Sequence, residues 1–523
     1  MDTVIRPEPS AAVDEPRGPG ALAAVGLGVA GGLLLALSLP PWPVSRGAWP
    51  LALVGAASLF VAGQGRRPAG RFGVGLVAGL AFYLPALWWM RDFSIPGFLA
   101  TATLEALILA LALALVPASG LVRIVAFPSA LVVAEAVRGA FPFGGLPLAG
   151  IDLGQVGGPL AASARLGGRR LVVGLVGLAG AGLAALVVGM FRVPRGSRVA
   201  PVVGALAGVG LAAVLAAAGA VAPAGRESGR VTAATVQGGG PRGLRAVDSD
   251  PADVLGAQMR ASAVLPLDLK LVLWPEDVVD VDGALAGSDQ ESALSSLAAR
   301  LRTTVVAGVV EDVDPDRFFN AAVAWGPDGK VIARYDKVHR VPFGEYVPAR
   351  TFFDRLADLS DVPRDAIPGR GAGVLETGVG RLGVLVSYEV FFEGRARDAV
   401  RADAAILLVP TNASSYRDAQ VPAQEVAAAR LRAIQTGRWV LQAAPTGYSV
   451  VVDHDGRVLQ SSPLGLPSVL RGTVQLRSGD TPWTVIGSVP VMAVAGLGLL
   501  SGLLVARRRT RQPSGAEPTE SPS

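Results

Sequence analysis

Three places where an apolar run breaks into polar residues hold the side chains able to do chemistry. They are LVLWPED with Glu276, YDKVHRVPFGEYVP with Lys337 and Glu345, and GVLVSYEVFFEG with Ser387, Tyr388 and Glu389. A carboxylate just past a strand end becomes a general base when partial burial raises its affinity for protons. Glu276 stands at such a point beside Pro275, and on WPE alone a plain surface carboxylate is an equal reading. A lysine fixed in a low-dielectric cleft can stabilise a developing oxyanion. Lys337 follows a long strand, and the Pro342-Phe343-Gly344-Glu345 turn folds the chain back across it, with Glu345 placed to orient that lysine or the proton network of Glu276. Ser387 closes a fully apolar strand at an elbow-like turn, from which a nucleophile projects and following N–H groups can bind an oxyanion. Alone, a serine there is a cap or turn residue; its place as third member of an ordered set makes it the candidate nucleophile.

The elements that must position these residues alternate between two periods. VTAATVQ (231–237), LDLKLVLWPE (267–276), TTVVAGVV (303–310), GRLGVLVSYE (380–389) and ADAAILLVPTN (402–412) read as strands. FNAAVAWGPDGKVIARYDK (319–337) reads as a hairpin turning at Pro327-Asp328-Gly329, and WVLQAAPTGYSVVVDHDGRVLQ (439–460) as another turning at Asp455-Gly456. VPAQEVAAARLRAIQTGR (421–438) reads as a helix ending near Gly437. Buried strands separated by helices predict a layered α/β domain.

The rest of the chain is of another kind. Hydrophobic residues make up 51% of the 523 and charged residues 17%, too apolar for a soluble enzyme throughout. Apolar runs of membrane-crossing length fall at 21–40, 48–64, 72–90, 98–117, 121–138, 170–190 and 200–222, and one more at 484–506. These predict about eight transmembrane helices. The first run lacks a small-residue cleavage site and reads as a retained helix rather than a signal peptide. The expected division is a disordered cytoplasmic tail at 1–20, a seven-helix membrane domain at 21–222, a catalytic domain at 223–483, an eighth helix at 484–506 and a disordered basic tail at 507–523. Arg66, Arg67, Arg71, Arg123, Arg192, Arg195, Arg198 and Arg507 then share the cytoplasmic side, which puts the catalytic domain outside the cytoplasm.

Absence of cysteine excludes disulfides, Cys-ligated zinc and thiol catalysis. Two histidines, His339 and His454, are a poor basis for a metal centre, and no metal or cofactor is expected. The net charge of +5, with arginine beside apolar runs, reads as membrane topology rather than nucleic-acid binding. Glu105 lies inside an apolar span; Glu135 and Arg138, three apart near the end of another, read either as a structural ion pair holding the 139–150 loop or as a lipid-headgroup contact. Trp88 and Trp89 read as interfacial anchors that also border the route of an acyl chain.

The three motifs together resemble the glutamate, lysine and cysteine elements of the nitrilase superfamily. With seven spans before the domain and one after, the chain resembles the apolipoprotein N-acyltransferase family over roughly residues 20–506. LSLPPWP (37–43), AEAVRGAFPFGGLPLAG (134–150) and NASSYRDAQVPAQEVAAARLRAIQTGR (412–438) add to the likeness. The resemblance implies a nitrilase-like αββα sandwich joined to a multi-pass inner-membrane bundle. It further implies a ping-pong transfer of an acyl chain from a phospholipid, through an acyl-enzyme, to the α-amine of the diacylglyceryl-cysteine of an apolipoprotein. Glu276 would be the general base, Lys337 the oxyanion stabiliser and Ser387 the nucleophile, with Glu345, Tyr388 and Glu389 in support and Glu135, Arg138 and Phe143 as lipid or membrane-loop contacts. Ser387 stands where the family has cysteine. It reads as a natural variant acylating through oxygen, as an inactive paralogue, or as an engineered cysteine-to-serine change, and the first is carried forward. Phe143 stands where the family often has tryptophan, and no tryptophan follows VQGGGP (236–241). The alternatives are a scaffold for a polyprenol-phosphate mannose synthase, which the resemblance to actinobacterial relatives suggests, and a membrane-tethered amidase.

Overall fold

Small and apolar residues in the first half wind into seven helices: α1 (Ala21–Ser38), α2 (Trp49–Ala62), α3 (Pro68–Ala86), α4 (Ile95–Ala114), α5 (Val122–Arg138), α6 (Ala164–Arg192) and α7 (Val199–Val221). The computed structural model describes residues 18–41, 48–192, 199–243, 248–355, 359–360 and 362–511, so most of both expected tails and part of LSLPPWP lie outside the described residues. Small residues let the helices approach closely. A Cβ on Gly79 of α3 would come within 2.6 Å of the Ala106 backbone in α4.

Helices stand at all eight expected positions, but the count of eight transmembrane helices is not reached by length and composition. Four, at Ala21–Ser38, Pro68–Ala86, Ile95–Ala114 and Pro159–Val187, are long and apolar enough to cross a membrane. Trp49–Ala62, Leu206–Val221 and Val489–Val505 are apolar but shorter than the ~20 residues that 30 Å of hydrocarbon demands. α5 has 17 residues and carries Arg123, Glu135 and Arg138. The span expected at 170–190 starts earlier, at Ala164, and bends at Gly167 and Gly168, where Gly168 takes φ 72°.

Charge inside the bundle is paired. Arg138 is fully buried; it bonds the carboxylates of Glu105 and Glu135 and the carbonyl of Leu148, and packs 4.6 Å from the Tyr83 ring. Glu135 also meets Arg169, which holds Asp152 at 2.8 Å. The structure thus supports the ion-pair reading of Glu135 and Arg138, pinned to the 146–148 loop. Removing one partner of such a network strands the others. Arg138→Leu is expected to destabilise the protein by about 3–5 kcal/mol, and Glu105→Gln added to it to recover part of that. Thermal unfolding in detergent reads both.

Beyond the bundle, the described residues form fourteen strands. β1 (Arg226–Gln237), β2 (Leu271–Leu273), β3 (Val279–Val281), β4 (Thr304–Asp314), β5 (Arg317–Trp325), β6 (Val331–Asp336) and β7 (Asp365–Ala366) build one sheet. β8 (Val374–Thr377), β9 (Gly380–Val384), β10 (Ile406–Pro410), β11 (Val440–Ala443), β12 (Val450–Val452) and β13 (Val458–Ser461) build the second, and β14 (Ser468–Ser478) returns to pair β1. The first sheet has the order β14-β1-β2-β4-β5-β6, with β3 on β4 and β7 on β5. The second runs β13-β12-β11-β10-β9-β8. The hairpin expected over 439–460 is in fact a three-strand meander; Asp455-Gly456 turns β12 into β13, while β11 pairs antiparallel with β12.

Leu271, Leu273, Val306, Val384, Leu408 and Leu441 interdigitate between the two sheets. α8 (Pro251–Ser262) and α9 (Asp289–Leu301) cover the outer face of the first, where Leu297 of α9 shares a core with Trp274 and Val305. α10 (Arg350–Phe353) is a single turn; α11 (Glu393–Arg401) and α12 (Gln420–Thr436) cover the second sheet. α13 (Pro482–Ile486) leads to α14 (Val489–Arg511), which runs on through arginines expected in the tail. The domain is the four-layer α/β sandwich expected.

α12 is buried along its length, from Val421 to Thr436. One side lies on the second sheet and the other on the bundle, and one continuous apolar core runs from α3 and α5 through α12 to Val440 and Val450. Polar clasps fix the contact: Ala149 N donates to Gln424 Oε1, Arg165 donates to the carbonyls of Ile434 and His454, and Arg169 N donates to Glu393.

Candidate active site

Glu276, Lys337 and Ser387 each follow the end of a strand. β2 stops at Leu273, and Glu276 follows three residues on, held against the sheet because β4 offers Gly308 there: a Cβ at Gly308 would lie 2.4 Å from Glu276 Cα. Lys337 is the first residue past β6, with its N–H donating to Asn320 O. β9 stops at Val384, and Ser387 opens a short 3-10 turn with φ 48°. A non-glycine residue in that left-handed region is costly and persists where its surroundings over-determine it. Here Glu389 does so. Its carboxylate accepts from the N–H groups of Val386, Val338 and His339 and from the hydroxyl of Tyr335, stapling the elbow to the lysine loop.

Glu276, Lys337 and Glu345 form one buried cluster. Lys337 Nζ lies 2.8 Å from Glu276 Oε1 and 2.7 Å from Glu345 Oε1, and Asn320 Nδ2 donates to the same two oxygens at 2.9 and 2.7 Å. Glu345 Oε2 accepts from Val341 N, which fixes the turn expected to fold across the site. Burial raises the Glu276 carboxyl above its ordinary range, with Lys337 pulling it back and Glu345 adding to the rise. Burial alone would pull Lys337 down, but the two carboxylates outweigh it and hold the ammonium above its usual value. Two carboxylates on one ammonium leave a surplus negative charge out of water, so this cluster takes up a proton readily.

Among the described residues Ser387 makes no hydrogen bond to that cluster and meets Thr411 instead. It is 7% exposed, and Thr411 Oγ1 lies 3.2 Å from its Oγ and 2.8 Å from Glu425 Oε1. Tyr388 points the other way, its hydroxyl donating to Gly145 O of the bundle loop at 2.7 Å. Ser387 and Glu425 line a cavity of about 160 Å³ with Trp89 and Leu104 from the bundle and Phe143 from the 139–150 loop. Phe143 makes edge contacts with Phe343 and Phe353, 5.9 and 6.1 Å between ring centres. Trp89 packs edge-on against Tyr416, whereas Trp88 is half exposed beneath the Arg91 guanidinium. His339 stacks on Phe392 at 4.3 Å. Glu135 and Arg138 stay within the bundle network.

Sequence reasoning missed Asn320, Thr411, Tyr416 and Glu425. Asn320 interrupts an otherwise apolar stretch of β5, which is the one signal that could have flagged it. Among the described residues no group of acidic or histidine side chains could hold a metal ion.

Comparison with known proteins places this arrangement. Residues 261–480 match the carbon-nitrogen hydrolase family, and residues 31–183 match the apolipoprotein N-acyltransferase N-terminal domain. The apolipoprotein N-acyltransferase of Mycolicibacterium smegmatis is 32% identical over 508 residues, covering 90% of this chain and 84% of the relative. That of Geobacter metallireducens is 30% identical over 516 residues, covering 92% and 95%. Among solved structures, Saccharomyces cerevisiae Nit3, a member of branch 10 of the nitrilase superfamily, aligns with 56% of this chain and 97% of its own, at 20% identity and TM-score 0.37. The chain belongs to the apolipoprotein N-acyltransferase family.

Proposed function

We propose that this protein transfers an acyl chain from a membrane phospholipid to the α-amine of the N-terminal diacylglyceryl-cysteine of apolipoproteins. The observation that carries the reading is the cavity at Ser387, walled on one side by residues of α4 and its neighbouring loops and on the other by the sandwich. An acyl chain entering from the bundle side reaches the serine without leaving apolar surroundings. Both substrates are lipid-anchored, and drawing an acyl chain into water costs about 0.8 kcal/mol per CH₂. The relatives are named for N-acylation, which does not favour the amidase or mannose-synthase scaffold alternatives.

Ser387 is the nucleophile, Lys337 stabilises the oxyanion and Glu276 is the base, with Glu345 and Asn320 holding that pair in place. Tyr388 and Glu389 support the elbow, one tied to the bundle loop and the other to the lysine loop. Phe143 borders the acyl route. All eight apolar helices of 21–222 and 484–506 span the cytoplasmic membrane, and the sandwich at 223–483 lies on its extracytoplasmic face, as the arginine distribution supports.

Phosphatidylethanolamine supplied to the purified full-length protein is expected to leave an acyl group on Ser387, seen by peptide mass spectrometry. A diacylated lipopeptide should then remove it and appear triacylated. An adduct that water discharges equally fast with or without lipopeptide would overturn the transferase reading in favour of a hydrolase.

A further inference from the structure

Glu425 is a buried carboxylate with no place in the roles given above. It sits in the middle of α12, 3% exposed, where the helix is sealed between sheet and bundle. An ionisable group there is costly unless it is paired. Its Oε1 lies 2.8 Å from Thr411 Oγ1, and Oε2 has no hydrogen-bond partner among the described residues. Thr411 Oγ1 in turn lies 3.2 Å from Ser387 Oγ, so the three oxygens form a chain from the cavity into the protein. Glu276, by contrast, is committed to Lys337 and Asn320. A serine hydroxyl needs a base connected to it, far more than a thiol does. That connection here runs through Thr411.

We propose that Thr411 and Glu425 form the proton relay that activates Ser387, an inference resting on the acyl-transfer reading. As Ser387 Oγ bonds to the carbonyl carbon of the donor ester, its proton passes to Thr411 Oγ1, and the proton of Thr411 passes to Glu425 Oε1. The tetrahedral oxyanion collapses and the ester C–O bond to the glycerol breaks. Glu425 then returns its proton through Thr411 to the departing alkoxide, which leaves as the alcohol of the lysophospholipid. Glu276 serves the second half, in which the attacking amine must shed a proton. Glu425 is a positioning residue that acts through Thr411.

The environment of Glu425 gives this relay a pH signature. Burial pushes its carboxyl up to about 8; the Thr411 hydrogen bond and Lys337 pull it down and Glu276 raises it. Tyr416, Tyr388 and Glu105 face the same cavity. A relay base works deprotonated, so Ser387 acylation should climb with pH through about 8 and level off above it.

The test follows Ser387 adduct formation from phosphatidylethanolamine in detergent micelles, with full-length protein between about pH 6 and 10. Glu425→Gln keeps an acceptor for Thr411 but cannot take a proton. It is expected to slow acylation about 10²–10⁴-fold and to flatten the limb near 8. Thr411→Val should do the same, and Thr411→Ser should rescue it. The double variant S387C/E425Q guards against misfolding: a thiol ionises by itself near 8.5, so acylation should return. Glu425→Gln with wild-type rate and limb would overturn the relay while leaving the transferase reading intact. No adduct in wild type or in Ser387→Cys at any pH would overturn both.

Discussion

Ser387→Ala is expected to abolish the acyl adduct and to lower turnover by as much as about 10⁶-fold, the scale seen when a covalent enzyme loses its nucleophile. The geometry makes the loss clean. Ser387 holds φ 48° because Glu389 staples the elbow, and none of that staple uses the serine hydroxyl. Alanine therefore keeps the fold, and an unchanged thermal transition should accompany the lost activity. Ser387→Cys is expected to acylate faster than wild type, because a thiol ionises near 8.5 and is intrinsically more nucleophilic. The two adducts differ chemically. Neutral hydroxylamine should release the acyl group from the cysteine variant and spare the oxygen ester on Ser387. Residual turnover in Ser387→Ala close to wild type would remove the covalent mechanism altogether.

The second large effect lies at Lys337. Lys337→Met removes the only cation touching Glu276 and Glu345 among the described residues. Two losses combine. An oxyanion stabiliser contributes about 10²–10³ in rate, and Glu276, already raised by burial, loses the ammonium that holds it down. Its affinity for protons then rises further and it serves less well as a base, so a total loss of about 10⁴-fold is expected. Stability should fall by about 3–5 kcal/mol as well, since a buried pair has lost one member. The sign with pH is specific. A carboxyl whose folded pKa is raised contributes stability below its unfolded pKa that is lost as pH rises through the folded value. The variant should therefore lose stability as pH rises above the ordinary carboxylate range. Wild type should show the same trend more weakly, because Glu276 is raised there too while Lys337 holds it lower. Thermal melts from that range upward, on wild type and variant, read the difference. A parallel shift at every pH would mean that the carboxylates are compensated by another group.

What the sequence made legible has a physical pattern. Glu276, Lys337 and Ser387 each follow the end of a strand, and such an edge survives in one dimension, as does the 342–345 turn that carries Glu345. Glu425 has no such edge: in VPAQEVAAAR it looks like an ordinary polar position on a helix, and only the approach of Thr411 from β10 reveals its place. Periodicity did not foresee that α12 would be buried all round, since that burial comes from the bundle, far away in sequence. The meander at 439–460 was misread as one hairpin because Ala444-Pro445 and Asp455-Gly456 both mark turns and only one was counted. In α6 a kink at Gly167 and Gly168 lies inside the helix, where hydropathy gives no sign of it.

The burial of α12 has a further consequence, for how the protein can be taken apart and assembled. A soluble piece comprising 223–483 would lay bare the Val421–Thr436 face together with the partners of Arg165 and Arg169. It would behave as an unfinished interface rather than as a free-standing enzyme. The last helix, α14, follows the sandwich in synthesis yet packs on α5 and α6, so the bundle closes only after the sandwich has been made. Maturation is thus a single event for both halves, and a chain that inserts wrongly cannot present a finished serine elbow.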